Sequence, residues 1–188
     1  MKKTLFSVAA LLLGGCLSMQ AQVSLVNPVP HQVERQAGAA VVKAPKAWAI
    51  TADAGRHQDV VRLLQQAEGA KAGGAKATFK LTIGVKGDKA VKKYAKKIPA
   101  KAEGYYLEVT PKGAVLAAAD EVGLFWAAQT WMAMLSEGKM EYCTITDYPD
   151  VPYRGVVEGF YGTPWSHQAR LSQIAFYARH KMNVYIYG

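Results

Sequence analysis

Cysteine is almost missing from this sequence: Cys16 and Cys143 are the two it has. With Cys16 in an N-terminal leader, Cys143 stands alone, so no intrachain disulfide holds the mature fold. Acidic residues are also scarce, 14 Asp and Glu against 23 Lys and Arg, a formal net charge of +9 that becomes +7 without Lys2 and Lys3. Long apolar runs are confined to residues 5–13, too short to cross a bilayer as a mature helix, and no other segment is a candidate to span one. Histidine is thinly spread. His31, His57, His167 and His180 have no carboxylate or cysteine at ligand spacing, so neither a metal site nor a cofactor is expected.

What is present points to a folded, exported protein. Apolar residues make up 51% and aromatics 10% of the chain, enough to bury the core of one or two domains. Lys2 and Lys3 followed by the apolar run read as an export signal over residues 1–21. Its processing has two readings. Leu13-Gly14-Gly15-Cys16 fits a bacterial lipobox, which makes Cys16 the candidate lipidation residue. The rival is signal peptidase cleavage after Ala21, with Met19 large for the third position back. Either way the mature protein is expected to be periplasmic or secreted, meeting a membrane only through a lipid on Cys16.

Most of the positive excess lies between Lys71 and Lys101, where lysines are spaced by Ala and Gly. Nucleic-acid surfaces bring arginines and stacking rings as well. This stretch therefore reads as a solvated lysine face, with an anion-binding role as the rival reading and no nucleic-acid partner. In Tyr142-Cys143-Thr144-Ile145 the thiol reads as a buried, inert strand residue.

The pattern is α/β and divides near residues 147–152. Strands are predicted over 78–85, 105–109 and 114–118, the last two forming a hairpin around Pro111-Lys112-Gly113. A helix over 57–67 carries Val60, Val61, Leu63 and Leu64, and 88–96 reads as a second helix with a thin apolar face. The strongest helix is 120–136, capped by Asp120, with Phe125, Ala128, Met132 and Leu135 at helical spacing and Gly138 at its stop. Nothing in this region clusters chemically. Pro149 and Pro152 then mark a linker.

After the linker, 153–158 reads as a buried parallel strand ending on Glu158. Gly159 and Gly162 permit a tight turn around Phe160 and Tyr161. Ser166 caps a helix with Leu171, Ile174, Ala175, Ala178 and Met182 on one face, and Arg179, His180 and Lys181 at the negative end of its dipole. Asn183 breaks it, and 184–187 is the next strand. This is one βαβ unit. Two parallel strands cannot cover both their faces, so the unit belongs to a doubly wound sheet or a (β/α)8 barrel. The residues alone leave Glu158 open between a general acid and a buried carboxylate that satisfies loop amides.

Two runs resemble known families. Gly123-Leu124-Phe125-Trp126-Ala127-Ala128-Gln129-Thr130-Trp131 is similar to a helix of the small domain that precedes the barrel in bacterial β-N-acetylhexosaminidases. The Val157-Glu158-Gly159-Phe160-Tyr161-Gly162 core, with its flanks over 154–173 and 181–188, resembles the start of the catalytic barrel of family 84 glycoside hydrolases, the O-GlcNAcase-like β-N-acetylglucosaminidases. The resemblance implies a signal over 1–21, a hexosaminidase-type α/β domain over 22–147 and the first βαβ unit of a barrel over 148–188.

It also implies retaining hydrolysis in which the substrate's own acetamido oxygen attacks the anomeric carbon, an exception to schemes with an enzyme nucleophile. The two aspartates that assist it would lie past Gly188, as would a sugar-binding lysine. Asp120, Glu121 and Asp147 are in the wrong domain to replace them. By the same resemblance, Gly159 offers a backbone carbonyl to the sugar hydroxyls, and Phe160 and Tyr161 shape the sugar pocket. Glu158 becomes a structural carboxylate, Trp165 a ring packed under the loop, and His167 a neutral, solvated residue. The expected partner is a glycan or glycoprotein with terminal N-acetylglucosamine, whether O-GlcNAc protein, mucin glycan or hyaluronan fragment, and these residues by themselves are expected to be inactive. The alternative is an exported, non-catalytic module that binds glycan or a partner.

Overall fold

A computed structural model describes residues 26–36, 41–66, 71–72 (backbone only), 77–136, 138–159 and 162–187. The leader with Cys16, and Phe160 and Tyr161, lie outside the described residues. The elements run β1 (Gln32–Arg35), β2 (Val42–Lys43), β3 (Ala47–Thr51), α1 (Gln58–Gln66), β4 (Lys71–Ala72) and β5 (Lys80–Val85). There follow β6 (Tyr105–Thr110), β7 (Gly113–Ala118), α2 (Glu121–Leu135), β8 (Lys139–Met140), β9 (Cys143–Asp147), β10 (Gly155–Glu158), α3 (His167–Arg179) and β11 (Val184–Tyr187).

A seven-stranded sheet in the order β1-β9-β6-β7-β5-β3-β4 carries the first part of the chain. β6 and β7 form the expected hairpin, with Tyr105 opposite Ala118 and Thr110 opposite Gly113. β7, β5, β3 and β4 are parallel neighbours, with α1 as the crossover between β3 and β4, while α2 leads from β7 on to β8 and β9, the latter antiparallel to β6. Alternation along the hairpin divides the core. Tyr105, Leu107, Val109, Leu116 and Ala118 face the helices, while Tyr106, Val115 and Ala117 face the opposite side.

α2 is capped as expected, Asp120 Oδ1 accepting from the Gly123 amide at 2.8 Å. Its burial differs from the predicted stripe. Leu124, Ala127, Ala128, Trp131 and Met134 are fully enclosed, whereas Phe125, Met132 and Leu135 are only partly buried. A helix apolar nearly all round packs on both sides. Here the sheet takes one side, and the flanking α1 and α3 take part of the other. Trp131 stands edge-on to Trp48 at 6.0 Å and stacks with Phe79 at 5.9 Å. Cys143 is buried in β9, and burial pushes its thiol up to about 12.

Residues 88–96 do not form the predicted helix. One 3-10 turn, Lys92–Tyr94, interrupts a run of turns. The apolar residues explain it: Val91, Tyr94 and Ile98 are drawn down onto Tyr106, Val115 and Ala117, which spreads the segment across the sheet.

β10 and β11 pair in parallel with α3 between them, Gly155 opposite Val184 and Glu158 opposite Tyr187. The strands meet at a glycine, because a Cβ on Gly155 would overlap the Val184 carbonyl oxygen. The predicted burial is not found here. Val157 is 67% exposed, and Leu171 and Ile174 of α3 are each about half exposed. A two-stranded unit has nothing to cover its outer faces.

Polar contacts fasten this unit to the sheet. Lys181 does not serve the helix dipole as expected. It turns inward at φ 57, is buried, and its Nζ donates to Asp147 Oδ2 at 2.7 Å and Tyr105 Oη at 2.8 Å. Tyr105 Oη also lies 2.7 Å from Thr130 Oγ1. Asp147 Oδ1 accepts from the His31 amide at 3.2 Å and faces His31 Nδ1 at 3.0 Å, while His31 Nε2 lies 3.0 Å from Asp150. Glu103 accepts from Trp126 Nε1 at 2.8 Å and from Arg154. Burial pushes the Asp147 carboxyl up, but the Lys181 charge and the bonds from Lys181, His31 and Tyr105 outweigh it and hold it below the usual range. Hydrogen bonds to Asp147 and Asp150 raise the His31 imidazole.

Three outcomes follow from this packing and these contacts. Trp131→Ala should cost about 3–5 kcal/mol of unfolding free energy in urea titrations. Trp131→Phe should cost clearly less, since the indole N–H it removes has no acceptor among the described residues. His31→Ala should remove a contribution fully present below about pH 6.5 and lost as pH rises through the raised imidazole value, so wild type and variant should converge in alkaline urea titrations.

Candidate functional site

Functional groups in an open α/β arrangement gather where strands end and helices begin. β10 ends on Glu158, and the chain enters α3 through 159–166. Ser166 caps that helix, its Oγ accepting from the Ala169 amide at 3.2 Å. The cap sets the helix so that Arg170, in its first turn, faces back toward the strand end.

Glu158 is the centre of what results. Its side chain is covered, and Arg170 grips it through Nε at 3.0 and 3.2 Å and through Nη2 at 2.9 Å. Tyr185 Oη donates from β11, and the Trp165 amide donates from the loop. The Arg170 guanidinium also lies 4.8 Å from the Tyr187 ring centre. One carboxylate thereby joins strand, loop, helix and neighbouring strand. The hydrogen bonds and charge of Arg170, aided by the Trp165 amide, hold Glu158 below its ordinary range. A carboxylate so committed has no proton to give near neutral pH, which places Glu158 as a clamp and not as a general acid.

Beside it is a hollow of about 120 Å³ lined by Val157, Glu158, Gly159, Gly162, Thr163, Pro164 and Trp165. Gly159 is exposed at the carboxyl end of β10. Trp165 is not packed beneath the loop as expected: it is 45% exposed and borders the hollow. His167 is exposed at the first position of α3. Phe160 and Tyr161 complete this turn in sequence but lie outside the described residues. A second hollow, of about 170 Å³, sits at the seam near His31, Trp126, Asp147 and Lys181. Its charged walls are already paired with one another, so it is read as a joint and not as a site of chemistry.

The histidines are less isolated than their spacing suggests. His57 is enclosed at φ 58, with Nε2 2.6 Å from Asp88 and Nδ1 2.8 Å from Glu121, and Arg56 Nε lies 3.2 Å from Asp88. This cluster ties the start of α1 to the 86–88 turn and the start of α2. Among the described residues no group of three or more His, Cys, Asp or Glu is arranged to hold a metal. Asp120 serves as a cap and Asp147 as an ion-pair partner, so neither offers a free acid. Sequence reasoning missed Arg170, Tyr185 and Lys181. One signal was available for Arg170: it is the first base of the helix after a strand-end carboxylate.

Residues 24–148 match the family described as glycosyl hydrolase family 20, domain 2, and residues 154–188 match the family described as beta-N-acetylglucosaminidase. Among solved structures, CpGH84B is 25% identical, with a TM-score of 0.67 over 86% of this chain and 29% of its own. CpGH84D gives 18% and 0.70, over 86% of this chain and 30% of its own. The beta-N-acetylhexosaminidase from Bacteroides fragilis NCTC 9343 gives 18% and 0.61, over 87% and 33%. The last two are likenesses of fold. The chain spans about a third or less of the length of each of these relatives.

The clamp has a direct test. Glu158→Gln weakens its hold on Arg170, so amide exchange in 162–187 should speed up while β5–β7 stay protected, as read by hydrogen–deuterium exchange. In the wild type the Glu158 contribution should be present above about pH 4.5 and lost as pH falls through its lowered value, a dependence absent from the variant.

Proposed function

The chain belongs to the glycosyl hydrolase family 20, domain 2, family, and from that premise we propose that it is part of a retaining, family 84-type β-N-acetylglucosaminidase acting on terminal β-linked N-acetylglucosamine. The observation that carries the reading is the turn after β10. Its Val157-Glu158-Gly159-Phe160-Tyr161-Gly162 run falls in the segment matched by the beta-N-acetylglucosaminidase family, at the carboxyl end of a parallel strand. That is the end where barrel enzymes bind substrate.

In this reading residues 22–147 support and residues 148–188 open the catalytic barrel. The Gly159 carbonyl meets the sugar hydroxyls, and Phe160 and Tyr161 shape the pocket wall. The acetamido oxygen of the substrate displaces the leaving group and forms an oxazoline, which water opens with retention. Two aspartates outside these 188 residues orient the acetamido group and move the proton. The Glu158 clamp supports the assignment by removing the one local carboxylate that could have served as acid. Export through the 1–21 signal, with or without a lipid on Cys16, would bring the enzyme to extracellular glycans.

The 188 residues alone should not turn over an aryl N-acetylglucosaminide. The same residues in one polypeptide with the downstream reading frame should do so, with retained stereochemistry by NMR. Clear hydrolysis by the 188 residues would overturn the placement of the acid pair. A stop codon directly after Gly188 would overturn the enzyme reading for this polypeptide.

A further inference from the structure

Residues 86–101 contain seven lysines (Lys86, Lys89, Lys92, Lys93, Lys96, Lys97 and Lys101), no arginine and one acid below Glu103, Asp88. All seven lysines are exposed, whereas Asp88 is turned inward onto His57 and the Val85 amide. The segment is also held in place. Val91, Tyr94 and Ile98 are buried on the sheet face opposite α2, so the residues between them are directed outward. Tyr94 and Tyr106 stack 6.0 Å apart beneath Lys93 and Lys97, whose ammonium groups lie 4.8 and 4.9 Å from the ring centres. Among the described residues only Lys97 of the seven has an ion pair, with Glu108 at 3.4 Å. Asp53, which accepts from the Lys89 and Ala90 amides, and Glu108 border this face, and the excess of like charge that remains on it repels itself and attracts a polyanion.

We propose that this face docks an anionic polysaccharide, a chain bearing sulfate or carboxylate groups. The side chains favour that partner over a nucleic acid. Lysine presents compact point charges that attract anionic groups without the bidentate geometry by which arginine reads phosphate or carboxylate. Single-strand binders also expose rings for base stacking, and here both tyrosines are buried under the lysines. The face is separate from the β10–α3–β11 unit, since α3 lies against α2 on the other side of the sheet. A polymer held here leaves the hollow beside Glu158 open. The inference does not depend on the glycosidase assignment.

The full chain is to be tested at low salt against dextran sulfate, polygalacturonate and neutral dextran of matched length, with a single-stranded oligonucleotide as rival. At least one charged polysaccharide should bind and neutral dextran should not, with binding lost as salt shortens the screening length to a few ångströms. Replacing Lys89, Lys92, Lys93 and Lys96 with alanine should weaken binding at least about tenfold through the lost counterion release. The same four positions changed to arginine should retain it. Alanine at Lys43, Lys46, Lys112 and Lys139 removes the same net charge elsewhere and should leave binding nearly unchanged. Equal losses in the two alanine variants would overturn the proposal, as would undiminished binding in the first. Tighter binding of the oligonucleotide than of either polysaccharide would overturn the choice of partner. The relative affinities for sulfate and carboxylate chains identify the preferred anion.

Discussion

The buried ammonium of Lys181, set between Asp147 and Tyr105, is the contact on which the rest of the arrangement depends. Asp147 closes β9, Tyr105 opens β6, and Lys181 follows α3, so three separate parts of the chain meet at one charge. Removing ion and counter-ion from water costs several kcal/mol apiece, and the attraction between them does little more than offset that cost. The gain is in geometry. Shifting the unit against the sheet would strand a buried charge, whereas sliding an apolar contact by the same amount would cost far less. The Tyr105 hydroxyl and the His31 ring extend the constraint, since each already has a second partner.

α3 carries this constraint across the unit. Lys181 lies just past one end and Arg170 near the other, 11 residues or about 16 Å along a helix. Arg170 holds Glu158, and Glu158 holds the Trp165 amide of the loop. The position of the turn after β10 is therefore set at both ends of one rigid element. The substrate role proposed for this turn would need such anchoring, because a displacement of about 1 Å in a positioning group is enough to impair orientation.

Much of the architecture could be read from the residues. Hydrophobic period and turn chemistry located the β6–β7 hairpin, α2 with its Asp120 cap, and the β10–α3–β11 unit with its Ser166 cap. The misreadings share a cause. The 88–96 stretch has good helix formers, yet Val91, Tyr94 and Ile98 gain more by lying across the sheet than by sharing a helix, and tertiary packing overrides propensity. Lys181 looked like a dipole partner because its carboxylate is 34 residues away in sequence and adjacent only in the fold. His57 looked isolated for the same reason, its two carboxylates coming from the 86–88 turn and the start of α2. The Glu158 motif was legible as a turn, but the choice between acid and clamp required Arg170 in place beside it.

Charge in this molecule is divided by location, and the division bears on what the lysine face is for. Inward-facing charges at the joints are matched: Lys181 with Asp147, Arg170 with Glu158, and Arg154 with Glu103. A surface that served only solubility would mix both signs, which keeps a protein dispersed without a strong local field. Residues 86–101 do the opposite. Their single carboxylate is spent on the interior, and three apolar anchors keep the lysines together on one side of the sheet. Self-repulsion in such a group is a cost that Glu108 beside Lys97 and Asp53 beside Lys89 relieve only in part. A polyanion would relieve it, and the anchors ensure that it would meet the charges already in place.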